Sequence, residues 1–405
     1  MSRSSITLSI TAAIGIIVFA LFIILSRISP SVSPVSPSAT EGLNPETTIT
    51  SDDQVPKSFA PIFWDRTNFI DSVSETVTHV TNLLYSQNGR IYATYHDDNK
   101  KTYVASTTNG QRWDSTALPE TLTYIRDIIQ LQDGTFLLSG KASGPTDPIL
   151  YESRNGTTRI PVGTDVLPNR ESASIWDLLE LPDGRVLLAT DSLANDPNAV
   201  HDSLYVLDGS TVEPLAGFPG LGILSIAIGS DNTLYVATGE SDEHDDPDTA
   251  GQARVYRSED LGETWEEVAT PTGANRIYDL HVNKEGTLFA ASGIRGAFLR
   301  SYDRGDTWEE TTHVPSAMLP FGETGELQEK EATRVYTILE LSDGRLVVGT
   351  GNQAGDVFVT SDDGDTWEKT GNTGTNVVVW GLAQDADGAI WIGTGSRSGD
   401  ILKSR

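Results

Sequence analysis

Ring-bearing and basic side chains stand at one fixed position of a pattern that this chain repeats. Each repeat contains a short turn such as Asn-Gly or Asp-Gly, and the position lies eight residues before the second residue of that turn. The seven residues at this position, here called the mouth column, are Thr81, Arg126, Trp176, Leu224, Tyr278, Tyr336 and Trp380. Aromatic faces stack on sugars and peptides, and arginine pairs with carboxylates. The column therefore predicts a binding surface, although aromatic residues that only cap a hydrophobic core would give the same pattern.

Other basic and acidic residues fall near the same surface. Arg276 and Arg334 precede the mouth column by two residues, and Glu240 and Arg295 follow at the ends of the next predicted strands. The predicted ligand-binding residues are Arg126, Trp176, Arg276, Tyr278, Arg295, Arg334, Tyr336 and Trp380. Catalysis there would need a carboxylate or a phenol. The candidate catalytic residues are Glu240, Asp279 and Tyr336.

Small polar side chains directly follow the mouth column. This polar column contains Asn82, Asp127, Asp177, Ser225, Asp279, Thr337 and Gly381. Small polar groups around a narrow axis are typical of a water-filled tunnel, and an ion or catalytic site is the alternative.

An acidic segment at 239–253 is a candidate metal site. Calcium binds six to eight oxygen ligands, which Asp242, Asp245, Asp246 and Asp248 could supply. Their spacing does not match an EF-hand, and a solvated acidic loop is the alternative. The sequence predicts no cofactor other than calcium.

The elements that position these residues follow from the turns and the apolar positions beside them. Asp-Gly and Asn-Gly between apolar runs indicate β-hairpins. Two apolar columns flank the mouth and polar columns, with Val80 and Leu83 as their first members. The turns recur at intervals of about 44 to 58 residues, which with four strands per unit is typical of propeller blades. The sequence therefore predicts an all-β fold, a seven-bladed β-propeller.

A second repeated motif supports this architecture. Residues 258–265, 301–308 and 360–367 each spell Ser/Thr-x-Asp-x-Gly-x-Thr-Trp, and residues 106–113 form a weaker copy without the Asp. Asp accepts backbone N–H groups and Gly permits positive φ, so the motif predicts a tight turn. The motif resembles the Asp-box, or BNR, repeat of the sialidase-like β-propellers. The resemblance implies architecture, because in those families the box is a structural turn remote from the ligand.

The resemblance does not extend to the parts that make a sialidase. Sialidases have six blades, whereas this chain predicts seven. Their Arg-Ile-Pro motif is matched here by Arg159, Ile160 and Pro161. Arg159, however, stands where the Trp of the Asp-box motif would stand in the second repeat, on the face opposite the predicted binding surface. The chain is similar instead to seven-bladed, non-enzymatic propellers such as photosystem assembly factors and sortilin-type receptors. Residues 390–395 also resemble the sensor propellers of two-component regulators.

The last repeat lacks a fourth strand before the chain ends at Arg405. An unpaired edge would result unless another segment supplies that strand. Residues near 59–70 include Phe63 and Trp64, which match the Arg112–Trp113 pair of the weaker box. We therefore predict that this segment closes the ring.

The N-terminal part predicts a membrane anchor. Residues 6–25 carry no charge and are long enough to span a bilayer as a helix. The predicted organisation is a short cytoplasmic tail (1–5), a transmembrane signal anchor (6–25), a Ser/Pro/Thr-rich linker (26–57) and the propeller (58–405). The protein is expected to be single-pass, with its propeller outside the cytoplasm.

Composition limits the partners. The chain has no cysteine and a net charge of −29, which argues against nucleic acid as a partner. We expect a monomeric, membrane-tethered binding or scaffold module for a glycan or a protein partner. The alternative is a sialidase-like glycoside hydrolase or lyase that acts on an acidic sugar at the tunnel mouth.

Overall fold

The computed structural model describes most of the chain from residue 61 onward. The described residues are 61–73, 75–144, 146–154, 159–163, 174–190, 200–219, 222–239, 253–269, 276–292, 297–311, 314, 334–351, 356–371, 373, 378–395 and 398–405. The predicted tail, anchor and linker (1–57) lie outside them. Within these ranges no helix is long and apolar enough to cross a membrane.

Nearly all regular structure in the described residues is antiparallel β-sheet. In chain order the elements begin with β1 (Trp64–Arg66), the short helix α1 (Phe69–Ser72), β2 (Val77–Tyr85), β3 (Ile91–Asp97), β4 (Thr102–Thr107) and β5 (Asp114–Ala117). Then follow β6 (Leu122–Gln130), β7 (Phe136–Ala142), β8 (Leu150–Ser153), β9 (Ile160–Pro161), β10 (Ile175–Glu180), β11 (Val186–Thr190), β12 (Val200–Asp208) and β13 (Thr211–Pro219). The next eight are β14 (Gly222–Ile228), β15 (Leu234–Gly239), β16 (Val255–Ser258), β17 (Glu266–Glu267), β18 (Ile277–Val282), β19 (Leu288–Ser292), β20 (Phe298–Ser301) and β21 (Glu309–Glu310). The last seven are β22 (Arg334–Glu340), β23 (Leu346–Gly351), β24 (Val357–Thr360), β25 (Glu368–Lys369), β26 (Val378–Gln384), β27 (Ile390–Gly395) and β28 (Ile401–Ser404).

These strands pair in groups of four, here called sets. Sets 1 to 6 are β2–β5, β6–β9, β10–β13, β14–β17, β18–β21 and β22–β25, and set 7 is β26–β28 with β1. Single residue pairs, Gly351 with Val378 and His79 with Gly395, join sets 6, 7 and 1 into one larger sheet. The first two strands of each set meet at a predicted turn. The second turn residue has positive φ in every case, from +66° at Asn232 to +89° at Gly286.

The hydrophobic core is divided among the boundaries between sets. Each cluster of buried side chains in the described residues combines two sets that follow one another in the chain. One cluster joins the last set to the first, with Trp391 and Ile401 of set 7 against Val80 and Tyr95 of set 1. Each set therefore packs its two faces against two neighbours, and set 1 contacts set 7.

The segment before β2 links the end of the chain to its beginning. Strand β1 pairs with β28, with Trp64 opposite Ser404. The Trp64 indole donates to the Thr370 hydroxyl of set 6 at 2.9 Å, and the Asn68 amide donates to the Gly110 carbonyl of set 1 at 2.9 Å. Buried Phe69 of α1 then joins the core between sets 7 and 1. The segment thus supplies the fourth strand of set 7 and fixes its position.

The three full Ser/Thr-x-Asp-x-Gly-x-Thr-Trp motifs form the same turn between the third and fourth strands. In set 6, the Asp362 carboxylate accepts hydrogen bonds from the Thr366 amide (2.9 Å), the Thr366 hydroxyl (2.6 Å) and the Thr360 hydroxyl (2.7 Å). The Thr360 hydroxyl in turn accepts the Gly364 amide at 2.9 Å. Sets 4 and 5 repeat this network around Asp260 and Asp303.

The weaker copy in set 1 builds its turn one residue later. The Gly110 amide donates to the Thr107 hydroxyl at 2.9 Å, whereas the Ser106 hydroxyl accepts a hydrogen bond from the Arg90 guanidinium at 2.8 Å. The sequence match to Ser106 is therefore off by one residue, because Thr107 is the residue whose hydroxyl reaches Gly110. In set 3 a hairpin at Gly209 (φ +60°) joins the long strands β12 and β13 instead.

Loss of the Asp362 side chain should destabilise the protein by about 1 kcal/mol at pH 7, since Thr366 then loses its acceptor. Burial alone would raise the pKa of Asp362, but hydrogen bonds from Thr366 hold that pKa below its usual value. Its contribution is therefore present at neutral pH and is lost as the pH falls below about 4. Urea unfolding of Asp362→Ala at pH 7 and pH 3 measures this, with the exposed neighbour Ser361→Ala as control. An equal deficit at both pH values would contradict it.

Candidate functional site

Every first strand in the described residues is interrupted by a β-bulge at the mouth column. Strands β2 and β6 contain an additional shift, at Thr78 and Thr123. At the mouth column the pairing between first and second strands skips one residue in β2, β6, β10, β14, β18, β22 and β26. The skipped residues are Thr81, Arg126, Trp176, Leu224, Tyr278, Tyr336 and Trp380. An extra residue bends the strand and re-aims its side chain. The bulge was missed from the sequence, although the spacing of three between the buried residues Val80 and Leu83 indicated it, because an undisturbed strand buries every second residue.

These bulges surround one cavity of about 360 Å³. All seven residues of the mouth column and all seven of the polar column line it, together with His79, His96, Tyr124, Ile125 and Leu382. The volume lies near the lower end of the range for small-molecule sites. The structure thus brings together the sequence-predicted residues Arg126, Trp176, Tyr278, Tyr336 and Trp380.

One side of the cavity carries an arginine stacked on an indole. The guanidinium carbon of Arg126 lies 3.7 Å from the ring centroid of Trp176 and 5.7 Å from that of Tyr124. Because Arg126 and Trp176 come from sets 2 and 3, their contact depends on the packing of the two sets.

Three aromatic rings from sets 5, 6 and 7 form a second part of the wall. The Tyr278 and Tyr336 centroids are 4.8 Å apart, and those of Tyr336 and Trp380 are 4.4 Å apart, with the rings tilted by 47° and 46°. Arg276 donates to the Tyr278 hydroxyl at 3.0 Å, and Arg334 donates to the Tyr336 hydroxyl at 3.5 Å. Neither of these two arginines is among the residues that line the cavity. They hold the phenol ends of the rings.

Two stacked histidines complete the wall beside Tyr124. The His79 and His96 ring centroids are 4.4 Å apart, and His96 meets Tyr124 edge to face at 4.7 Å. Burial lowers the pKa of His79, and burial together with the neighbouring His79 lowers the pKa of His96 to about 4. Both rings are therefore mainly neutral at pH 7.

The polar column joins the first strand of one set to the first strand of the next. The Asp127 and Asp177 carboxyl groups accept the amides of Leu178 and Ile226, at 3.0 and 2.6 Å. Ser225 accepts the amide of Leu280 at 3.0 Å, and Asp279 accepts that of Ile338 at 2.7 Å. Asn82 donates to Asp127 at 2.9 Å. These residues were predicted to line a wet tunnel, and the structure gives them the further role of linking the sets.

Glycine replaces this link where set 7 meets set 1. A Cβ atom on Gly381 would lie 2.9 Å from the Leu83 nitrogen and 3.0 Å from the Asn82 carbonyl carbon. The two first strands therefore approach each other directly at this point, and the position has no space for a side chain.

Burial raises the pKa of the three column carboxyl groups. It raises that of Asp177 to about 6 and that of Asp279 to about 8, against opposing hydrogen bonds from backbone amides. For Asp127, burial and the charge of Asp177 both raise the pKa. Asp127 and Asp177 also share the Leu178 amide, at 3.0 and 2.8 Å. At pH 7 Asp279 is therefore mostly protonated, and its carboxyl group is engaged with the backbone of set 6.

Several predicted residues cannot be placed at this cavity. Glu240, Arg295 and the predicted calcium ligands Asp242, Asp245, Asp246 and Asp248 lie outside the described residues. Among the residues that are described, no group of three His, Asp or Glu side chains could hold a metal ion. Arg159 donates to the Ser153 hydroxyl beside β9 at 3.0 Å and does not line the cavity.

Comparisons with known proteins identify the fold. A family model described as "Two component regulator propeller" matches residues 373–396, and no curated protein matches the sequence. Streptogramin B lyase superposes with a TM-score of 0.59 at 15% identity, over 85% of this chain and 98% of that one. YCF48 bound to D1 peptide gives 0.55 at 13% identity, over 85% and 95%. The extracellular domain of the hybrid two component system BT3049 from B. thetaiotaomicron gives 0.57 at 12% identity, over 85% and 41%. The fold is a β-propeller. At these identities the likeness shows the fold alone.

Replacing Asp279 by Asn should remove part of the pH dependence of stability. The folded protein retains the Asp279 proton up to about pH 8, whereas the unfolded chain releases it near pH 4. Stability therefore falls between these values, by at most about 1.4 kcal/mol per pH unit for one such group. Asn cannot ionise and still offers an oxygen to the Ile338 amide.

The measurement is the free energy of unfolding of Asp279→Asn and wild type from pH 5 to pH 8. We expect the free energy of unfolding of Asp279→Asn to increase relative to that of the wild type as the pH rises. The exposed Asp387→Asn serves as the control. Parallel pH profiles for Asp279→Asn and wild type would show that Asp279 ionises normally in the folded protein.

Proposed function

We propose that the protein is a binding or scaffold module that holds a glycan or protein partner at the cavity of the mouth column. The observation that carries this proposal is the set of bulges, which direct one side chain from every first strand into a single cavity. Five of the seven side chains are aromatic or arginine, the types that dominate recognition surfaces. They differ from set to set, whereas the scaffold that presents them is uniform.

We propose further that the propeller has seven blades of the Asp-box type. In support, each set packs on the next, and set 7 packs on set 1. The turns around Asp260, Asp303 and Asp362 share one hydrogen-bond network. The uncharged run at 6–25 supports a membrane anchor with the propeller outside the cytoplasm.

Binding fits the cavity better than catalysis by its carboxyl groups. Asp127, Asp177 and Asp279 accept backbone amides of the neighbouring set, so their oxygens stabilise the scaffold. The Tyr336 ring packs between Tyr278 and Trp380. A hydrolase or lyase of the sialidase-like kind would need these groups to approach a substrate. The solved structure of YCF48 with a peptide agrees with a propeller that binds a partner.

Removal of the Trp380 ring should weaken partner binding at least tenfold. Trp380→Ala opens the aromatic wall, and loss of a central aromatic contact typically weakens binding by tenfold or more. Tyr302→Ala is the matched control, because Tyr302 is exposed and lies in the turn between β20 and β21, outside the cavity.

The measurement combines a glycan array with cross-linking to purified cell-envelope proteins, using the full chain. We expect one class of partner to be retained by wild type and Tyr302→Ala and lost by Trp380→Ala. Thermal unfolding of each variant checks that it is folded. Equal retention by folded Trp380→Ala would place the binding surface elsewhere, and turnover of a bound glycan would favour the enzyme.

A further inference from the structure

We propose that the cavity binds a small ligand or end group in which a carboxylate is attached to a six-membered ring, with Arg126 pairing with the carboxylate. This inference rests on the proposed binding function and names the chemistry of its ligand. Sugar acids and aromatic acids share this chemistry, and the experiment below separates them.

The position of Arg126 suits it to pair with a carboxylate. The bulge in β6 directs its side chain into the cavity, and the indole of Trp176 lies 3.7 Å from its guanidinium carbon. Stacking uses the face of the guanidinium group, whereas its N–H donors lie in the plane. A stacked guanidinium is held in one orientation and keeps the planar fork of N–H groups that binds carboxylates through two parallel hydrogen bonds.

The described lining of the cavity offers one cationic group to an anion. Arg126 is the one arginine or lysine among the described residues that line it. The other titratable groups in this lining are His79, His96, Asp127, Asp177, Asp279 and three tyrosines. Burial lowers the pKa of both histidines and raises the pKa of all three aspartates, so these groups carry reduced charge at pH 7. Asp177, with a pKa of about 6, remains mostly ionised at pH 7, and Arg126 is the group of this lining that can pair with an anion.

The size and walls of the cavity favour a ring. Its volume of about 360 Å³ admits one or two six-membered rings and excludes a folded partner. Tyr278, Tyr336 and Trp380 form a continuous aromatic surface with centroids 4.4 to 4.8 Å apart. The faces of such rings stack on sugar and aromatic rings alike. The arginine and the aromatic wall together therefore select for a ring and a carboxylate in one ligand.

The test is calorimetric or NMR titration of the purified full chain with two pairs of probes. The sugar pair is D-glucuronate and D-glucose, and the aromatic pair is 4-hydroxybenzoate and phenol. We expect at least one acid to bind ten times or more tightly than its neutral counterpart. If only D-glucuronate binds, the ligand is a sugar acid; if only 4-hydroxybenzoate binds, it is an aromatic acid; if both bind, the site accepts either ring.

Variants of Arg126 test its role directly. Arg126→Gln should weaken binding of the acid at least tenfold, and Arg126→Lys should weaken it too, because a lysine keeps the charge and loses the planar fork. Arg112→Gln removes the same charge from a side chain that is 88% exposed, and it should leave binding unchanged. Thermal unfolding checks that all three variants are folded.

Three results would overturn the proposal: neither acid binds, each neutral counterpart binds as well as its acid, or Arg126→Gln binds the acid as well as wild type does. Partner retention that still depends on Trp380 would then leave the binding function standing without this ligand. If Trp380→Ala also retains the partner, the binding function at this cavity fails as well.

Discussion

The architecture depends on hydrogen bonds that run from the polar column of one set to the backbone of the next. In sets 2 to 6 the first strand pairs only with the second strand of its own set, so its other edge has no strand to pair with. Buried amides without acceptors are costly. Asp127, Asp177, Ser225 and Asp279 supply those acceptors from the adjacent set. The same bonds that satisfy the inner edges therefore hold neighbouring sets in register.

Because of this constraint, adjacent residues of a first strand have different roles, one structural and one in the proposed binding surface. The polar column is committed to its neighbours, because its carboxyl oxygens accept backbone amides of the next set. The bulge residue one position earlier lies outside the strand register, and its side chain lines the cavity. Arg126 beside Asp127 and Tyr278 beside Asp279 illustrate this division.

The motif turns also contribute bonds between neighbouring sets, here as ion pairs. Arg257 of set 4 reaches Asp306 of set 5 at 3.1 Å, and Arg300 of set 5 reaches Asp365 of set 6 at 2.8 Å. These ion pairs are partly exposed, and each adds little alone. They accompany the apolar contacts between sets, which bury Phe289, Phe298 and Phe358 completely or almost completely. Burial of these apolar side chains stabilises the contact between sets 5 and 6.

The sequence by itself determined the repeat, the hairpin turns, the Asp-centred turns and the residues of the mouth column, because each depends on residues close together in the chain. The spacing of three between Val80 and Leu83 also indicated the bulge, but the bulge was recognised only once the strand pairing was known. Tertiary structure alone decided that Arg126 stacks on Trp176, that Asp177 bonds to Ile226 and that Thr107 replaces Ser106 in the weaker turn. The first two contacts join residues about 50 positions apart in the chain, and no local pattern specifies which side chains meet when two sheets pack. The third depends on which hydroxyl reaches the Gly110 amide, and the residue pattern of the motif does not specify this.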